Sequence, residues 1–379
     1  LGMCTKFSEV TLAVHFHERN KNGELVGGPM YYIKNGLGSR WQFLAVLYSL
    51  FGVLTVFGTG NATQVNTIVT AIDSALLAYG SSLNSILPTV NLVVGVVVAM
   101  MVAMVLLGGV KRIGSVTEKL VPFMALFYVV LALGVVVINY RRFPAVLASI
   151  VGGAFDPQAF TGGAIGSIFL SMQKGVSRGI FSNEAGLGSA AISAAASTTD
   201  DPARQGYVSM TGTFIDTIIV CTITGLTIAS SGVLGTVGPD GKPLTGVALT
   251  MAAFSTHLGT AGNWIVSIGI MLFAYSTILG WEYNGEKAWE YLWGTHTYNI
   301  IYRLAFSLVV YVGATQTLDL VWNLSDIANA LMAVPNLVSM LVLAPVIKEE
   351  VLRFEAVIAK EKAGRKAALL EKNEETLHI

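Results

Sequence analysis

Six stretches without a single Asp, Glu, Lys or Arg limit what this chain can fold into: Trp41–Ile72, Ser74–Val110, Leu120–Tyr140, Thr217–Pro239, Pro243–Trp281 and Ile327–Ile347. Each reaches the roughly 20 residues an α-helix needs to cross a bilayer's hydrocarbon core. Only helices and closed barrels satisfy every backbone polar group there, and runs this long are helical. The expected fold class is therefore an all-α polytopic membrane protein, with the lipid bilayer as its first partner. Charged residues make up 12% of the chain, against about 25% in soluble domains. Of the 46 charges, 14 fall in the last 32 positions. The expected domains are a transmembrane domain over 1–347 and a charged C-terminal helix over 348–379.

Apolar runs read against Gly, Pro and polar breakers give nine spans, at about 1–17, 41–78, 84–107, 115–139, 164–197 (interrupted), 205–231, 262–293, 298–314 and 322–347. Lys and Arg crowd the 18–40 connection and the 111–119 connection, while Tyr79–Leu83 has none. The positive-inside rule then places the C-terminal tail in the cytoplasm of a multi-pass cell-membrane protein, although Arg141 and Arg142 break the alternation once. Residue 1 is a Leu inside an apolar pattern with no signal-peptide features, so further helices are expected upstream.

Other classes fall away. Formal net charge is zero, which leaves no nucleic-acid footprint. Cys4 and Cys221 give neither a disulfide framework nor a metal-ligand spacing. The chain has no Walker A motif, and the GxSxG letters at Gly175–Gly179 lack both a strand-turn-helix context and a placed His. The expectation is a protein that is not an enzyme and carries no cofactor.

A weak internal similarity runs at an offset of about 221–223: Leu37, Gly38 and Trp41 precede one long span as Leu258, Gly259 and Trp264 precede another. An odd number of spans separates the matched helices, so the second copy is inverted in the membrane, as in many secondary transporters. Repeat one covers 1–139, incomplete at its N-terminus, and repeat two covers 164–347.

Within the interrupted span, Gly175, Gly179, Gly186 and Gly188 stand among Ser177, Arg178, Ser182, Asn183 and Glu184. Glycines cost a helix interior roughly 1 kcal/mol each against Ala, and a break whose free carbonyls line a binding site explains them. A small-residue packing face is the alternative. Glu184, an intramembrane carboxylate, is the candidate coupling group. Binding a cation, relaying a proton and pairing with Arg178 all stay open for it. In the long span, Gly60, Asn61 and Gln64 suit either a polar ligand or interhelical hydrogen bonding. The matched span holds Phe273, Ser276, Thr277, Gly280, Trp281 and Glu282. Ser276 and Thr277 offer hydroxyl oxygens to a hard cation such as Na⁺, and Trp281, one turn from Thr277, can close a small pocket. Ordinary packing is the alternative.

These residues resemble the alanine or glycine:cation symporter family of the amino acid, polyamine and organocation superfamily. The resemblance covers essentially the whole chain. It rests on Leu1–Met3 with Thr5–Phe7 and Glu9, on Gly27–Tyr31, on Gly58–Asn61 and above all on Arg178–Ser189. It implies a LeuT-like five-plus-five inverted repeat with broken helices, N-terminal helices missing from this chain, and symport of alanine or glycine with Na⁺ by alternating access. Proton coupling is the alternative, and an ion channel the competing class. By the same resemblance, Gly60, Gln64, Phe181, Ser182, Asn183, Gly186, Thr277 and Trp281 bind substrate, and Ser276 and Thr277 bind sodium together with carbonyls of a first core helix that precedes this chain. A pocket bounded by Phe181 and Trp281 is expected to exclude large side chains. Oligomeric state is not legible.

Overall fold

The computed structural model describes residues 1–154, 164–199, 201–238, 241–316 and 318–377. They form two compact units. One consists of Leu1–Tyr48, Ala185–Gly212 and Ala333–Ile379, the other of Ser49–Glu184 and Thr213–Met332.

The first unit begins with α1 (Gly2–His15), a hairpin of β1 (Glu18–Arg19) and β2 (Leu25–Val26), and α2 (Pro29–Gly36), which lies inside the segment read as a polar connection. Pro29 at the first helical position starts α2, where its missing N–H costs nothing. The glycines before it allow close packing, since a Cβ at Gly28 would stand 2.6 Å from Ile192 Cγ1. Val10, Leu12, Met30, Tyr32, Ile33, Leu187 and Ile192 are buried. Phe7 packs on Tyr207 (centroids 4.8 Å apart), which also meets Phe354.

The second unit is built on a long interrupted helix of α3 (Gln42–Phe57), a π-helical turn (Gly58–Ala62) and α4 (Thr63–Leu77). It is followed by α5 (Leu87–Leu106), α6 (Gly109–Ile138) and α7 (Phe143–Ala154), the last of which the apolar pattern did not suggest. Next come α8 (Ala164–Asn183), α9 (Ser189–Ala194, in the first unit), α10 (Pro202–Phe214, in the first unit up to Gly212), a second π turn (Ile215–Val220) and α11 (Cys221–Ser231). The chain ends with α12 (Gly246–Trp293), α13 (Asn299–Gly313), α14 (Leu318–Val342, whose last residues from Ala333 belong to the first unit) and α15 (Ala344–Leu377, in the first unit). Ala75, Ala132, Val135, Met251, Phe254 and Val266 form a core where α4, α6 and α12 meet. Ser267 of α12 donates to the Ala71 carbonyl at 2.7 Å.

Among the described residues, six helical stretches are long and apolar enough to cross a membrane: Ser39–Leu77, Ser82–Leu106, Arg112–Ile138, Pro202–Ser231, Gly262–Trp293 and Leu320–Val342. α13, read as a span, is a shorter apolar helix of 15 residues. On α5 the side chains of Leu92, Val93, Val96, Val97, Met100, Met101 and Met104 all face outward. An apolar stripe of this size suits lipid and not water.

The two glycines picked out by the internal similarity share an unusual backbone. Gly38 has φ 81 and ψ −179, and Gly259, which kinks α12, has φ 62 and ψ −162. Side chains rarely adopt this conformation, so both positions favour glycine for the same reason.

Candidate functional site

In the second unit the π turn places Gly60 directly beneath Trp281. A Cβ at Gly60 would overlap the Trp281 Cβ and stand 2.6 Å from its Cγ. The sequence put these two residues on separate helices of one site, and the structure brings them into contact. Trp281 is buried (3% exposed). The polar neighbours of Gly60 are used between helices: Asn61 Nδ2 donates to the Phe306 carbonyl (2.8 Å), Thr59 Oγ1 to Asn329 Oδ1 (3.0 Å), and Thr63 pairs with Ser325 (2.8 Å). Gln64 folds back, its Nε2 donating to the Thr59 carbonyl at 3.0 Å and closing the π turn.

Ser276 and Thr277 each donate to the Phe273 carbonyl at 2.9 Å. A hydroxyl that spends its proton this way keeps its lone pairs for another partner. The two residues lie about 100° apart around the helix. Thr277 shares the face of Trp281, whereas Ser276 is buried beside Met124 Sδ at 3.4 Å.

α8 ends at Asn183, and Glu184 is the only non-glycine residue with a positive φ (56) among the described residues. The last turn of α8 is held from neighbouring helices. The Phe181 ring packs on Trp322 (4.6 Å), and the Arg178 guanidinium covers Trp322 (4.4 Å) and pairs with Asp326. Ser182 Oγ donates to the Asp216 carboxylate (2.8 Å), and Asn183 Nδ2 to Thr217 Oγ1 (3.3 Å). Of the two rings expected to bound the pocket, Phe181 lies on Trp322 and Trp281 on Gly60.

Gly186 belongs to the first unit, where the break is held by a buried polar cage. Glu9 has no exposed surface, and its Oε2 accepts from the Gly186 N–H (3.1 Å), the Gly188 N–H (3.2 Å) and Asn336 Nδ2 (3.2 Å). Asn336 Nδ2 also donates to the Gly186 carbonyl (2.9 Å), and Tyr32 donates to Asn336 Oδ1. Tyr48 donates to the Leu187 carbonyl at 3.0 Å, and Lys6 Nζ lies 3.6 Å from Glu9 Oε1. The backbone groups released by the break thus find partners inside protein. Sequence reasoning did not find Asp216, Trp322 or Asn336. The signal for Asp216 was its position as the sole charge beside an otherwise uncharged run.

The family model of the sodium:alanine symporter family matches residues 1–368. An uncharacterized transporter of Haemophilus influenzae is 46% identical over 353 residues, covering 92% of this chain and 73% of the relative. The sodium/alanine symporter AgcS of Methanococcus maripaludis is 44% identical over 358 residues, covering 94% and 75%. The probable sodium/glutamine symporter GlnT of Bacillus subtilis is 34% identical, covering 92% and 68%.

Proposed function

The chain belongs to the sodium:alanine symporter family, and from that premise we propose that it carries alanine or glycine across the cell membrane together with Na⁺ by alternating access. As an amino-acid:cation symporter it is a multi-pass membrane protein and not an enzyme. The observation that carries the substrate reading is the seat of Trp281 on Gly60. Where backbone and indole meet this closely, little room is left for a substrate side chain, which favours the smallest amino acids. In the proposed site, Thr277 on the same face and Gln64 supply polar contacts, and the tethered end of α8 at Phe181, Ser182 and Asn183 responds to substrate. The lone pairs of Thr277, with those of Ser276, serve Na⁺, which prefers oxygen ligands.

The proposed architecture is an inverted repeat of the LeuT-like kind, repeat one over 1–139 and repeat two over 164–347, with the charged tail cytoplasmic. The matching backbone of Gly38 and Gly259 supports it, as does the break between α8 and α9, the form in which transporters of this kind expose carbonyls and helix ends to ions.

The test is uptake of radiolabelled alanine by the full-length protein in proteoliposomes, under an inward Na⁺ gradient, under K⁺ alone and under a pH gradient. Uptake driven only by Na⁺ is expected. Uptake driven by the pH gradient alone would transfer coupling to protons, and current without substrate would favour a channel.

A further inference from the structure

A buried ionic cluster on α12 begins one residue after Trp281 and is left unused by the transport reading. Glu282 has no exposed surface, and among the described residues neither of its carboxylate oxygens has a hydrogen-bond partner. One turn on, buried Glu286 takes both arms of Arg303 from α13: Nε to Oε2 at 2.5 Å and Nη2 to Oε1 at 3.0 Å. The same Arg303 Nε is 3.9 Å from Glu282 Oε1. Lys287, also buried, pairs with Glu290 at 3.1 Å.

A second observation points into this cluster from α13. The Tyr302 hydroxyl is buried, with no hydrogen-bond partner among the described residues. It lies against Gly285, where an added Cβ would overlap it and stand 2.9 Å from both Tyr302 Cζ and Val56 Cγ2. Among the described residues, the charged and titratable groups facing Glu282 are Glu286 and Lys287 from its own helix and Arg303 and Tyr302 from α13, with Glu290 paired to Lys287 beyond them. Around Val56 and Phe57 the third wall is apolar.

Among the described residues, the carboxylates of Glu282, Glu286 and Glu290 are buried here with the cations Lys287 and Arg303. An uncompensated carboxylate in a dry interior costs several kcal/mol, and two carboxylates at one site do not both stay ionised. A metal ion would have to approach beside the Arg303 guanidinium, whose charge repels it. A proton feels the same charge but needs no coordination shell and room of its own: it bonds to one carboxylate oxygen, removes one of two adjoining negative charges, and makes Glu282 a hydrogen-bond donor while leaving acceptor capacity for Tyr302.

We propose that Glu282 and Glu286 share one exchangeable proton beneath Arg303, forming a proton-binding site that adjoins the Trp281 seat. In balance, one proton enters from water, binds one carboxylate oxygen of the pair and returns to water when the site opens. Its bearing on transport rests on the symport reading above. The site itself does not.

Infrared spectroscopy of the reconstituted full-length protein tests the site without reference to uptake. The wild-type spectrum at neutral pH should contain a carboxylic acid C=O band that is lost in Glu282→Gln and equally in Glu286→Gln, because either change leaves Arg303 a single carboxylate to neutralise. Should one variant fail to fold, the other gives the same reading. Loss of an ionised carboxylate band in its place would overturn the proposal, as would a band that follows Na⁺ concentration at fixed pH. The link to transport is read from normalised pH profiles of Na⁺-driven alanine uptake. Loss of the alkaline limb in Glu282→Gln is expected, and profiles that superimpose would sever the link.

Discussion

Trp281 and Gly60 are in such close contact that no side chain fits between them, since a β-carbon at position 60 would overlap that of the tryptophan. Replacing Gly60 with Ala should therefore push α12 from the π turn. Overpacking of this kind costs about 1–3 kcal/mol. A lowered thermal midpoint is expected, together with loss of alanine uptake. Combining Gly60→Ala with Trp281→Ala should restore part of the stability, because the two residues share one space, and a double-mutant cycle of melting curves measures this coupling. Strict additivity would contradict the contact.

Trp281→Ala alone should widen the range of amino acids that compete with alanine for uptake, or abolish uptake. Competition by a panel of neutral amino acids of increasing size reads this directly. Unchanged selectivity and rate would remove Trp281 from the substrate site.

Glu9 offers a different kind of prediction. Its Oε2 is the acceptor for two backbone N–H groups and the Asn336 amide, so Glu9→Ala leaves three buried donors and Lys6 unsatisfied. Removing one partner of a buried charged cluster costs about 3–5 kcal/mol. Glu9→Gln keeps an acceptor oxygen and should lose less. Thermal unfolding in detergent orders wild type above Gln above Ala, and equal midpoints for the two variants would contradict the cage.

Much of this was legible in the sequence because it rests on local signals. The glycines and polar residues of 175–189 announced a break, and the break begins at Glu184, where φ turns positive. Gly38 and Gly259 were matched from letters alone and share a backbone conformation. Gly60 and Trp281 were assigned to facing helices and touch. Contacts fixed by tertiary packing were not legible. Nothing in the sequence says that Phe181 rests on Trp322, that Ser182 reaches Asp216, or that Asn336 reads the Gly186 backbone.

Arg178 links α8 to α14 through both charge and stacking, over Trp322 at 4.4 Å and paired with Asp326. Both members of the pair are about a third exposed, so the ionic part should contribute at most about 1 kcal/mol. Arg178→Lys keeps the charge but loses the planar stacking, worth about 0.5–1 kcal/mol at exposed sites. Melting curves should show a loss in Arg178→Lys that persists in high salt and a loss in Asp326→Asn that salt erases. The reverse pattern would show that charge, not stacking, joins the helices.

Outside the membrane, Glu18 sets a pH dependence. Burial would raise its carboxyl value, but hydrogen bonds from Lys34 and Asn35 outweigh that and hold it below the ordinary 4.5. A lowered folded value means stability that is fully present above 4.5 and lost as pH falls through the depressed value. Lys34 and Glu18 are both more than a third exposed, so the contribution at neutral pH is at most about 1 kcal/mol. Glu18→Gln should melt slightly below wild type at pH 7, and the difference should vanish in acid. A difference that grows on acidification would contradict the sign.

The central claim is that amino acid and cation bind to one coupled site, and equilibrium binding tests it most directly. Alanine affinity should be measured for the full-length protein with and without Na⁺, and Na⁺ affinity with and without alanine. Linkage requires the two factors to be equal, and the account predicts that each ligand tightens the other by the same factor. Alanine binding indifferent to Na⁺ would contradict it.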